Sequence, residues 1–381
     1  MLSGFSWHRS RLHPVPPLGD ATIDQWLPAS PERGRTYCSA QSARGAMVML
    51  AMLGILAFHS VLLGFSNWCH SPVYCEISCL PAGLSHLQLG RFDMYRVNPP
   101  LIRTIATIPA AFAGCETDWS GYEMSPLGRS WQDVGVCFLK ANGARSFRLY
   151  TWGRWACIPF GLLGGWVCFR WASRLYGATA GLTATTLWCF CPYVLGHASL
   201  MTPDAHAAAV GLAAGYVFWR WLSEPYWNRA LLTGLVLGVA ELCKFTLLVF
   251  YPLWLAMWIL YRLPDRRQMH ASQWLRELLQ FTVITAVSVL TINFGYCFEG
   301  SFQRLGDYQF QSQTMTADKP LADVPAFGGN RFAGTWLGSL PVPLPKNYLQ
   351  GIDTQKLDFE RGLPSYLRGE WSKHGWWYYY L

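Results

Sequence analysis

Residues 230–261 read ALLTGLVLGVAELCKFTLLVFYPLWLAMWILY, 32 residues in which only Glu241 and Lys244 are charged. As a single helix the run would measure ~48 Å, against a membrane hydrocarbon core of ~30 Å. Two short helices turning near Lys244 fit that thickness. The flanking arginines agree with the turn. A hairpin keeps Arg262, Arg266, Arg267 and Arg276 on the side that holds Arg170, Arg174 and Arg229, as the positive-inside rule asks. A single helix would place that four-arginine loop on the opposite side.

The rest of the 381-residue chain carries the same signature. Apolar residues make up 52% and charged residues 14%, well below the roughly 25% of soluble domains. The shortage is local: 45–75 and 278–298 hold no Asp, Glu, Lys or Arg, and 175–219 holds only Asp204. Further spans are predicted at 46–65 (AMVMLAMLGILAFHSVLLGF), 152–169, 177–196, 205–222 and 279–298, giving seven with the hairpin. The first begins too far from Met1 for a cleavable signal peptide. The net charge of +8 comes from scattered Lys and Arg without a basic run, which argues against a nucleic-acid partner. The 20 Trp and 18 Tyr, many beside the spans, suit aromatic belts at the membrane surface. The 12 Cys include no CxxC pair, so a zinc ribbon or thioredoxin-type centre is not indicated.

The charge pattern divides the chain into a cytoplasmic tail, 1–45, and a membrane domain, 46–298, that includes an outer loop, 66–151. A second outer segment, 299–375, rich in Gly, Pro and aromatics, is expected to form loops or short strands. The terminal GWWYYYL, from 375, has the aromatic character that marks the start of a further span, so 376–381 reads as one that is cut short. This topology puts Glu76, Asp204 and Lys244 on the outer face at span ends.

Each candidate residue admits two readings. Glu76, His86, Arg91, Asp93, Arg96 and Arg103 crowd the first outer loop, either as ordinary solvated charges or as a site. The apolar run 101–113 can lie flat in the interface with Arg103 snorkelling. Asp204 follows Thr202, a good N-cap, and Pro203, a good first helical residue, so helix-start chemistry explains it. An acid alone in an apolar stretch is also a functional candidate. Lys244 either pairs with Glu241 three residues earlier or holds a lipid phosphate at headgroup depth. His197 and His206 flank Asp204 without forming a recognisable metal-ligand set.

Taken in order, several short phrases resemble the membrane glycosyltransferases of family 39, the GT-C group that includes protein mannosyltransferases and lipid A aminoarabinose transferases. They are Cys75-Glu76, Ala82-Gly83, Pro99-Pro100-Leu101, Pro203-Asp204-Ala205 and the small-residue run LLTGLVLGVAELCKFT around Lys244. GRFDMYRVNPPL, NRFAGTWLGSLPVPLP and GWWYYYL resemble a planctomycete-type bacterial branch of that family. The likeness runs from about Trp68 to the last residue. It implies an all-α polytopic GT-C fold with outer-side loop regions, in the bacterial cytoplasmic (inner) membrane. It also implies further spans beyond Leu381. The sequence departs from the family at two positions. The family's catalytic Asp of a first-loop Asp-Glu pair is Cys75 here, and a Lys that some members carry before Pro-Pro is Asn98.

The implied reaction is inverting transfer of a sugar from a polyprenyl-phosphate donor to a lipid, glycan or protein acceptor at the outer face, without a cofactor or a required metal. A single displacement needs a base for the acceptor proton and a cation for the leaving phosphate. Glu76 is the expected base, Asp204 a second acid, and Lys244, with Arg96 and Arg103, the phosphate-binding cations. Rival readings are a transporter or a non-catalytic membrane scaffold, which explain the spans equally well, or an inactive fragment of the transferase. Inverted repeats would favour the transporter, and none is evident.

Overall fold

The computed structural model describes residues 31–122, 129–316 and 329–378, with side chains from residue 43 onward. Residues 1–30 of the expected tail and 379–381 of the expected further span lie outside the described residues. The described chain is almost wholly helical. In order come α1 (Pro31–Cys69), α2 (Cys79–Leu89), α3 (Leu101–Phe112), α4 (Trp131–Asn142), α5 (Arg145–Tyr176), α6 (Ala178–Phe190) and α7 (Pro192–Ala198). Then follow α8 (Pro203–Ser223), α9 (Trp227–Glu241), α10 (Phe250–Arg262), α11 (Ala271–Gly295), α12 (Gln313–Thr316) and α13 (Lys346–Arg361). The single described sheet pairs β1 (Ser365–Leu367) antiparallel with β2 (Glu370–Ser372).

This is the all-α polytopic membrane fold that the charge gaps predict. Among the described residues, three stretches are long and apolar enough to cross a membrane: Ala43–Cys69, Phe245–Asp265 and Ala271–Gly295. A fourth is formed if α6 and α7, bent by 56° at their junction, make one span. The bend has a local cause. Pro192 clashes with a helical residue before it, and Cys191 accordingly takes extended angles, φ −63° and ψ 122°. Helices also occupy the other three expected positions. There α5 carries five arginines, α8 is rich in Ala and Gly, and α9 has only 15 residues.

The decisive stretch does break near Lys244. Helix α9 stops at Glu241, Lys244 takes extended angles, and a 3-10 turn over Phe245–Val249 leads into α10. Neighbour contacts give the directions. Gly234 and Gly238 of α9 approach so closely that an added Cβ would lie 2.6 Å from the Ile284 carbonyl oxygen and 2.7 Å from that of Ser288, and Leu242 reaches Gly295. So α9 runs alongside α11 in the same direction. Helix α10 runs the opposite way: Tyr251 Oη meets Ser288 Oγ at 2.6 Å, and Trp258 Nε1 donates to Glu277 at 2.9 Å. The two halves of the stretch are therefore antiparallel, as a hairpin requires.

Helix α8 runs parallel to α10. Phe218 stacks on Trp254 with centroids 4.3 Å apart, and Arg262 Nη2 donates to the Leu222 carbonyl at 2.9 Å. One end of the bundle thus collects Arg229, Arg262 and Arg276, bound to Glu224, Glu277 and the backbone carbonyls of Arg220 and Pro225. The other end collects the start of α8, the end of α9 and the start of α3, whose Leu101 N–H donates to the Leu242 carbonyl at 3.1 Å. Glu76, Arg103, Asp204 and Lys244 all belong to this second end.

Helix α13 is absent from the sequence reading, which expects loops or short strands over 299–375. It seals part of that end. Tyr348 Oη donates to Glu241 at 3.1 Å, Gln355 Nε2 donates to the Val97 carbonyl at 2.6 Å, and Asp353 accepts from Ser312 at 2.6 Å. Gly351 lets it settle: a Cβ there would lie 2.4 Å from the Arg96 carbonyl oxygen and 2.6 Å from Phe245. Glu241, a partner for Lys244 on one of the two readings of that lysine, accepts from Tyr348 instead, because the helix ends between the two charges.

Candidate active site

Asp204 and Lys244, 40 residues apart in sequence, meet directly: Nζ lies 2.5 Å from Oδ1. Each arrives at the end of an element. Pro203 opens α8 at its first position, which places the Asp204 carboxylate at the positive end of the helix. Thr202 holds the N-cap position, but its hydroxyl makes no capping bond and lies buried without a partner, contrary to the expected cap. Lys244 leaves the end of α9 with its chain extended toward α8. Both side chains remain a little over a quarter exposed, at 28% and 29%. The other carboxylate oxygen of Asp204 lies 3.9 Å from Nδ1 of His197, whose ring packs on Tyr193.

This pair stands at the mouth of a groove of about 500 Å³. The groove follows the small residues Ala207, Ala208, Gly211 and Gly215 of α8, faced by Leu247 and Phe250, and ends at Trp171 of α5. From Asp204 to Gly215 it descends eleven helical residues, roughly 16 Å, about half the hydrocarbon thickness of ~30 Å. A charged head above a laterally open apolar slot fits an amphiphile with an anionic group and a long tail.

Glu76 is placed differently. It is fully buried and gripped by Arg154, with Nε at 3.1 Å from one oxygen and Nη2 at 2.5 Å from the other. The same oxygens accept from the Met201 N–H at 2.8 Å and the Val73 N–H at 3.1 Å. Arg154 also donates to the carbonyls of His70 at 2.7 Å and Ser71 at 3.0 Å. The pair therefore ties the chain after α1, the turn before α2, α5 and the loop before α8 into one knot. In this arrangement the carboxylate has no oxygen left to accept a substrate proton. Arg154 is absent from the sequence reading, although it is the lone charge in 152–169 and a charge inside a span points to a partner.

Arg103 does not snorkel. It is buried, donating to the carbonyls of Tyr95 and Asn98 at 2.9 Å and lying over the Tyr95 ring at 4.5 Å. It borders a pocket of about 20 Å³, room for about one water. Cys75 and Asn98, the two positions that depart from the family pattern, line that same pocket with Thr202 and Pro203. Arg103 and Lys244 thus approach the first turn of α8 from two separate cavities.

Arg96 belongs to another cluster. Its Nε donates to Asn347 of α13 at 2.8 Å, and its Nη2 is 3.9 Å from Asp93. Asp93 also binds Arg91 at 2.6 Å and the Tyr122 hydroxyl. Burial alone would raise the Asp93 pKa, but the Arg91 and Tyr122 hydrogen bonds and the nearby arginines hold it below the ordinary value. Glu299 is the converse. Burial, with the Asp93 charge, pushes its carboxyl up against the opposing hydrogen bond from Asn347. It sits in a turn after α11 where Cys297, Phe298 and Phe302 all have positive φ, between 49° and 63°. This cluster joins the first loop to α13 and leaves Arg96 little freedom to reach a phosphate.

Residues 150–292 match the family model described as dolichyl-phosphate-mannose-protein mannosyltransferase. The match runs from α5 nearly to the end of α11 and takes in Arg154, Asp204, Lys244 and the groove. It supports a mannosyltransferase-like membrane glycosyltransferase that uses a lipid-linked sugar donor. No curated protein and no solved structure matches the chain.

Proposed function

We propose that the protein transfers a sugar, with inversion, from a polyprenyl-phosphate donor to a hydroxyl or phosphate acceptor at the extracytoplasmic face of a bacterial cytoplasmic membrane. The observation that carries this reading is the Asp204–Lys244 pair at the mouth of the α8–α10 groove, inside the segment that matches the mannosyltransferase model. The prenyl tail lies in the groove and the phosphate meets the Lys244 ammonium, which has two protons not directed at Asp204. As the bond from the anomeric carbon to the phosphate oxygen breaks, charge grows on the phosphate and Lys244 steadies it. Asp204 holds the ammonium in place. Arg103, on the far side of the first α8 turn, adds positive potential from a buried position. Glu76 and Arg96 act by positioning: the first through Arg154, the second through Asn347. In this reading 46–298 forms the membrane domain, and 66–151 and 299–375 lie on the outer side.

The test is transfer of label from polyprenyl-phosphate sugars, mannose first, in membranes carrying the protein or its Lys244→Ala variant. Label entering a product without the prenyl chain, and strongly reduced by the substitution, supports the assignment. Equal incorporation in membranes with and without the protein rejects it.

A further inference from the structure

We infer that His197 is the base that takes the acceptor proton, with Asp204 as its orienting partner; this rests on the transferase reading above. Three of the other acids at this end are held by partners, and half-buried Glu299 lies against Asn347. Glu76 is locked on Arg154, Glu241 is buried under Tyr348, and Asp93 is held by Arg91 and Tyr122. His197 is not. Its Nδ1 is buried and unpartnered, facing Asp204 Oδ2 across 3.9 Å. The side chain as a whole is 39% exposed, so the opposite edge, with Nε2, stays open. The ring is steadied by Tyr193 one helical turn earlier, at 4.3 Å between centroids, and Tyr193 itself lines the groove.

An imidazole that gives Nδ1–H to a carboxylate presents Nε2 as an acceptor, the tautomer a general base needs. The gap of 3.9 Å exceeds a hydrogen bond by about 1 Å, and catalytic hydrogen bonds commonly tighten when substrate binds. Asp204 can serve both neighbours because it offers one oxygen to Lys244 and the other to His197. The two halves of the displacement then meet on one carboxylate. The acceptor oxygen attacks the anomeric carbon and its proton passes to His197 Nε2. The bond from that carbon to the phosphate oxygen breaks, its electron pair stays with the polyprenyl phosphate, and Lys244 meets the charge. The imidazolium is stabilised by Asp204 until it returns the proton to water. The carboxylate that the family pattern places at Cys75 is replaced, in this arrangement, by a residue from α7.

The experiment is steady-state transfer by the purified full-length protein with a labelled polyprenyl-phosphate sugar, comparing wild type, His197→Ala and His197→Gln. Loss of a general base lowers kcat by about 10²–10⁴-fold, and the donor KM and thermal unfolding stay near wild type. Added imidazole restores part of the activity of His197→Ala and none of that of His197→Gln, whose side chain fills the space. Wild-type kcat in His197→Ala overturns the inference, as does a lowered kcat that imidazole leaves untouched. A wild-type protein that transfers no sugar overturns the transferase reading, and the base with it.

Discussion

Replacing Glu76 by Gln keeps the side-chain shape and removes its charge. Arg154, only 1% exposed, then keeps its positive charge with no carboxylate beside it, and the new amide turns N–H groups toward guanidinium N–H groups. Removing one partner of a buried ion pair destabilises by about 3–5 kcal/mol, because the other charge stays buried alone. The backbone N–H groups of Val73 and Met201 also compete for one remaining oxygen where two served before. Unfolding of the purified protein in detergent micelles should shift by that amount, and any loss of transfer should follow the loss of folded protein. The double variant Glu76→Met/Arg154→Met leaves no buried charge and should recover more than half of the stability. Were Glu76→Gln to unfold like wild type while transfer fell a hundredfold or more, Glu76 would be the base and the knot around Arg154 would be incidental.

Other outcomes follow from the same geometry. Lys244→Ala should raise the donor KM at least tenfold, since a charge-assisted contact to phosphate is worth about 1.5–3 kcal/mol; radiolabelled-donor kinetics measure it. Gly211→Leu places side-chain atoms where a Cβ already lies 3.2 Å from Leu247, so it should narrow the groove and weaken donor binding while unfolding stays near wild type. Gly238→Val forces α9 off Thr291, where a Cβ would lie 2.5 Å away, and should destabilise by about 1–3 kcal/mol in the same unfolding assay. Glu299, with its folded pKa raised, weighs against folding at pH above both its values and ceases to do so as pH falls. Glu299→Gln should therefore raise the unfolding temperature at pH 8, with the gain shrinking toward pH 4. Asp93→Asn should do the reverse: a loss at neutral pH that fades as pH drops through the depressed Asp93 value.

The helical architecture was legible because membrane helices announce themselves by what they lack. Missing charge located the helices, and the excess length of 230–261 located the turn at Lys244. Lys244 and Asp204 could be picked out for the same reason, as isolated charges in apolar surroundings. Their pairing could not, because it depends on α8 running parallel to α10 and antiparallel to α9, which no local pattern encodes. Glu76 illustrates the opposite limit. Its place beside Cys75 in a family-like phrase suggested chemistry, while its ion partner lay 78 positions away in α5. Arg103 misled by periodicity: an arginine in an apolar helix reads as snorkelling, but the carbonyls of Tyr95 and Asn98 fold back over it. Helix α13 is hidden by its polarity, since the face that KNYLQGIDTQKLDFER buries includes Asn347, Gln350, Asp353 and Thr354, which leave no apolar stripe.

On the proposed reading, the slot below Asp204 and Lys244 holds the donor's lipid. A polyprenyl phosphate carrying a photoactivatable diazirine in its first isoprene units tests it most directly, with the crosslinked peptides read by mass spectrometry. Adducts are expected on Gly211, Leu212, Leu247 and Phe250, competed by unlabelled polyprenyl phosphate and largely lost in Lys244→Ala. Adducts concentrated elsewhere on the bundle, unchanged by that substitution, would contradict it.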